Sequence, residues 1–117
     1  MRDVLVVALD PVVPARMQAE RVLVVAPALR SGEGARRRAH AWVERLERDG
    51  VRAEGRVGDT DPLRAIAEAL DAFPADEILV AAWPTASAEH LATRARARFG
   101  LPTTRRLGPA VAPEPER

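Results

Sequence analysis

Three stretches of the chain are almost unbroken apolar runs: Val4-Leu5-Val6-Val7-Ala8-Leu9, Val22-Leu23-Val24-Val25-Ala26 and Ile78-Leu79-Val80-Ala81-Ala82. Short, Val-rich runs without polar alternation suit parallel strands that are buried on both faces. Two further segments read as weaker strands. Val51 to Val57 alternates apolar with charged residues, and Thr103 to Leu107 is mostly polar, so both are expected at the edges of a sheet. Between the strands the period changes from two to that of a helix. Ala35, Ala39, Trp42, Val43 and Leu46 form one stripe, with Ser31 as the upstream cap and Gly50 at the end. Asp61 and Pro62 are a cap and first-turn pair, followed by the stripe Leu63, Ile66, Ala67, Leu70 and Phe73. A last helix turns Ala88, Leu91, Ala92, Ala95 and Phe99 inward and stops at Gly100.

Strands alternating with helices predict an α/β domain. With the apolar strands central and right-handed crossovers, the pattern gives a three-layer, doubly wound, five-stranded parallel sheet of order 3-2-1-4-5. The first crossover is the weak link. Only Asp10 to Arg21 joins strands one and two, and a parallel crossover wants roughly a dozen residues or more. A truncated crossover helix from Pro14 to Glu20 would span about 10 Å. A hairpin between the first two strands is the competing reading. The expected organisation is one domain over residues 1–108, with 109–117 as a Pro-rich disordered tail.

Composition narrows the chemistry. The 117 residues contain no cysteine, which removes thiolate nucleophiles and sulfur-rich metal sites and favours a reducing compartment; a cytoplasmic location is expected. There is no lysine either, so all 18 cations are arginine, and neither a Schiff-base amine nor a phosphate-loop lysine is present. With 17 acidic residues the net charge is only +1, and neither nucleic acid nor a membrane surface is expected as a partner. No apolar run is long enough to cross a bilayer.

In the expected topology a ligand crevice lies beyond the carboxyl ends of strands one and four. Asp10 is placed there to accept hydrogen bonds from a ribose or base, and Thr85 and Ser87, at the start of the last helix, to receive an anion. Each also has a bland role, Asp10 in a turn before Pro11 and Thr85 or Ser87 as ordinary helix caps. Trp83 can stack on a planar ligand or a partner chain, or simply cover the core edge. His40 and His90 lack a spaced second ligand, so no metal is expected. Arg36-Arg37-Arg38 and Arg94, Arg96 and Arg98 read as solvated helix faces. No nucleophile and base can be paired, so no catalytic residue is assigned and the chain is not expected to be an enzyme.

From Arg21 to Leu107 the chain resembles the universal stress protein family. The resemblance rests on Val22-Leu23-Val24-Val25-Ala26-Pro27-Ala28-Leu29, Val57-Gly58-Asp59-Thr60-Asp61-Pro62-Leu63, Phe73-Pro74-Ala75-Asp76-Glu77-Ile78-Leu79-Val80 and Ala97-Arg98-Phe99-Gly100-Leu101-Pro102-Thr103. In that family an aspartate ending the first strand, here Asp10, and a glycine loop closing with Gly-Ser or Gly-Thr after strand four hold the nucleotide. Here Ala86-Ser87 stands at the closing pair and the glycines are absent. What the resemblance implies is a divergent bacterial branch that has lost ATP binding, carries no cofactor, and acts through self-association or partner contacts. The alternative keeps a weak ATP, AMP or other anion site at Asp10, Thr85 and Ser87. A homodimer is expected, either through the fifth strand or through a face around Val12, Val13, Met17 and Trp83 left partly exposed by the short crossover.

Overall fold

The computed structural model describes residues 3–10, 19–82 and 86–106. Along the chain these form β1 (Asp3–Ala8), β2 (Arg21–Pro27), α1 (Gly32–Arg48), β3 (Arg52–Gly58), α2 (Pro62–Ala72), β4 (Glu77–Ala81), α3 (Ala86–Phe99) and β5 (Thr103–Arg106). The strands make one sheet of order β3-β2-β1-β4-β5. Every pairing is parallel. Val4 lies beside Val22 and Val7 beside Val25, which rules out a hairpin between the first two strands. Of the helix expected over Pro14 to Glu20, residues 14–18 lie outside the described residues, while Ala19 and Glu20 belong to no helix. The expected tail, 109–117, lies outside them as well.

The alternation of side chains along the apolar strands divides the core into two. On one face Val4, Val6, Ala8, Val22, Val24 and Ala26 pack under α1 through Ala35, Ala39, Trp42 and Leu46. On the other, Leu5, Val7, Leu23, Val25, Ile78 and Val80 meet α2 and α3 through Leu63, Ile66, Ala69, Leu91 and Ala95. α1 reaches from β2 to β3, and no second helix among the described residues shares its face. Leu79 and Ala81 are nevertheless only 4% and 1% exposed there, so that side of the sheet is not bare.

Local chemistry sets the helix ends. Ser31 Oγ accepts the Gly34 N–H at 3.0 Å and caps α1, which ends before Gly50 in the left-handed region at φ 86°. The Asp61 carboxylate accepts the Leu63 N–H at 3.0 Å, with Pro62 in the first turn of α2. The buried stripe of α2 is rotated from the expected one. Ala65 and Ala69 are buried, whereas Ala67, Leu70 and Phe73 are only half-buried. The cause is Gly58, whose missing side chain lets Ala65 sit against the end of β3 and turns the small face of the helix to the sheet.

The amino ends of the strands are tied by charge. Arg21 and Asp3 are register neighbours and form an ion pair at 2.6 Å, while the Asp76 carboxylate accepts the Asp3 N–H at 2.9 Å. The Arg21 hydrogen bond, and then its charge, hold the Asp3 carboxyl below its ordinary range. Arg21 also lies over the Phe73 ring, 5.3 Å from its centre.

Candidate functional site at the carboxyl ends of the strands

A doubly wound sheet offers a crevice where its crossovers diverge, here between β1 and β4. Asp10 lies two residues beyond the end of β1 and is half-buried at that end of the sheet. The seam beside it is closed by one more ladder bond, from the Leu9 N–H to the Ala81 carbonyl at 3.1 Å. Thr85, Trp83, Val12, Val13 and Met17 lie outside the described residues. Ser87 is in the first turn of α3, and its side chain is likewise outside the description. Of the predicted site residues, therefore, Asp10 alone is placed with its surroundings.

Those surroundings are supplied by α1. The helix runs back over the sheet and brings its first turns to the carboxyl ends of β1 and β2. There Arg38 donates from Nε to the Ala8 carbonyl at 3.1 Å and from its terminal nitrogen to the Pro27 carbonyl, joining the ends of two adjacent strands. One turn further on, fully buried Trp42 donates from Nε1 to the Asp10 carbonyl at 3.2 Å. Burial lowers the pKa of Arg38, and the negative charge of Asp10 partly offsets this. The region is thus organised by the chain's own donors: a planar fork across two strand ends and an indole N–H on the residue beyond.

This corrects the reading of Arg36-Arg37-Arg38 as one solvated face. Arg36 and Arg37 are exposed, but Arg38 turns inward. The available signal was its spacing, since Arg38 lies three residues after Ala35 and four before Trp42, on the flank of the buried stripe. His40 and His90 are exposed, as expected of helix flanks. Among the described residues no group of three His, Cys, Asp or Glu side chains is arranged to hold a metal ion. Among the same residues no helix is long and apolar enough to cross a membrane.

A second concavity lies away from the strand ends, between α1 and the edge strand β3. It is an open groove of about 380 Å³ lined by Arg36, His40 and Val43 from the helix and by Gly55 and Val57 from the strand. Sequence reasoning identified β3 as an edge without anticipating this groove, because its shape depends on where α1 rests.

No family model matches the chain, and no curated protein or solved structure matches it.

Proposed function

We propose that this chain is a non-catalytic, universal-stress-like α/β domain that has lost adenine-nucleotide binding and works through self-association or partner contacts. The observation that carries the reading is the use of the strand carboxyl ends by Arg38 and Trp42. A nucleotide in a doubly wound sheet sits over that end of the strands and needs backbone donors brought close to its phosphates. Here two of the described side-chain donors, Arg38 and Trp42, are turned onto the chain's own carbonyls, the guanidinium bridges the carboxyl ends of β1 and β2, and Asp10 lies in the field of Arg38. The missing glycines after β4 point the same way, since a side chain at each position keeps phosphate oxygens away from the backbone.

Isothermal titration of the full chain with ATP and with AMP tests the loss of binding. No saturable heat is expected at nucleotide concentrations up to about 1 mM, where even a site worth only about 4 kcal/mol would be half filled. Micromolar binding that disappears in Asp10→Ala would overturn the proposal and establish the crevice as a nucleotide site.

A further inference from the structure

Resting on the self-association reading above, we infer that the contact surface is the free edge of β3, and that its occupant is β3 of a second copy, paired antiparallel about a two-fold axis at Gly55. The strand is seven residues long, while β5 at the opposite edge has four among the described residues. It pairs with β2 without interruption from Arg52 to Gly58, so it is a regular ladder along its whole length. The Ala28 N–H donates to the Gly58 carbonyl, which fixes the phase: Gly58, Arg56, Glu54 and Arg52 present their backbone groups to β2. Ala53, Gly55 and Val57 therefore present theirs outward, away from the sheet. Val57 is also 39% exposed, an unusual exposure for an apolar strand residue in this fold.

Edges normally carry charge to prevent such pairing. In β3 the charges have a different consequence, because Glu54 and Arg56 flank Gly55 symmetrically and have opposite signs. Pairing centred on Gly55 sets Gly55 against Gly55 of the second copy and Ala53 against its Val57, with all the outward backbone groups of the three residues matched. The same register sets Glu54 against Arg56 of the second copy, twice over, as a close pair on the other face. Sliding by two residues in either direction, the next shifts that keep the backbone groups facing, places Glu54 against Glu54 or Arg56 against Arg56. Charge therefore selects one register. Among the described residues neither Glu54 nor Arg56 is engaged in an ion pair within its own chain.

The groove gives the arrangement room. Each α1 rests over β2 and β3, so joining two sheets at β3 puts the two copies of α1 roughly 10 Å apart, from the strand spacing, which is the ordinary distance for packed helices. Arg36, His40, Val43 and Glu47 share the flank of α1 by helical spacing. Gly55 lies at the level of Ala39 and Val43, so the axis brings Arg36 toward Glu47 of the second copy. The result is a closed, isologous dimer with one continuous ten-stranded sheet, made from the five strands of each copy.

Sedimentation equilibrium of the full chain, from micromolar to several hundred micromolar, decides the matter through charge reversal at exposed positions. The wild type is expected to dimerise with concentration. Glu54→Arg and Arg56→Glu should each weaken dimerisation at least tenfold, while an equal mixture of the two variants, and the double variant E54R/R56E, should restore it. Equal dimerisation of the wild type and both single variants would overturn β3 as the surface and leave self-association standing. A wild type that stays monomeric across the range would overturn this dimer and the self-association reading together.

Discussion

Among the described glycines, Gly58 is the one where an added methyl group would meet its neighbours most closely. A Cβ built on it would lie 2.6 Å from the Ala65 Cβ and 2.8 Å from Val25 Cγ2, both closer than carbon atoms can pack. Neither neighbour can turn aside. Ala65 has no rotamer to change, and Val25 is a β-branched residue with no exposed surface, held in the core beneath α2. α2 must therefore lift from the sheet at its first turns, and overpacking of this kind costs about 1–3 kcal/mol. Replacing glycine by alanine returns about 0.4–1 kcal/mol by restricting the unfolded chain. The net expectation for Gly58→Ala is a loss of about 1–2 kcal/mol, or roughly 0.5–1 M in the urea midpoint for a domain of this size. Gly55→Ala is the control, because its Cβ would meet Val43 Cγ2 at 3.1 Å and Ala39 Cβ at 3.3 Å, where half-buried Val43 can yield. It should change the midpoint by less than half as much. Urea unfolding followed by circular dichroism, at a concentration where the chain is monomeric, measures both. An unchanged midpoint in Gly58→Ala would refute the close approach of α2 to β3, and with it the explanation of the rotated α2 stripe.

Two further substitutions examine opposite ends of the sheet. Trp42→Phe keeps most of the buried ring but removes the donor to the Asp10 carbonyl, and is expected to lose about 1–3 kcal/mol in the same urea measurement; an unchanged midpoint would mean that the indole bond holds nothing in place. At the amino ends, Asp3→Asn should destabilise the chain most above the ordinary aspartate range of about pH 4, where the depressed carboxyl of the wild type is ionised and paired. As pH falls through the lowered folded-state pKa, Asp3 becomes protonated and its advantage is lost. The two urea midpoints should converge there, and a gap that stays constant down to about pH 2 would exclude the ion pair as its origin.

The sheet order was legible because each central strand carries its own signature. The runs from Val4, Val22 and Ile78 are apolar on both faces and can be stable only in the middle of a covered sheet, while the charges of β3 and the polar residues of β5 confine those strands to the edges. The helix starts were legible for an equally local reason, since Ser31 and Asp61 bond N–H groups within three residues of themselves. The connection from β1 to β2 was not, because a short linker permits either direction and only the register Val4 with Val22 resolves it. At the candidate site, sequence placed Asp10 at the carboxyl end of β1 but missed Arg38 and Trp42, whose partners Ala8, Pro27 and Asp10 are separated from them in sequence and meet them only once α1 lies across the sheet. What the sequence determined by itself was therefore whatever depends on neighbours along the chain: burial pattern, caps and strand rank. The tertiary structure decided what depends on the approach of separate elements: the inward turn of Arg38, the alanine face of α2 against Gly58, and the groove beside β3.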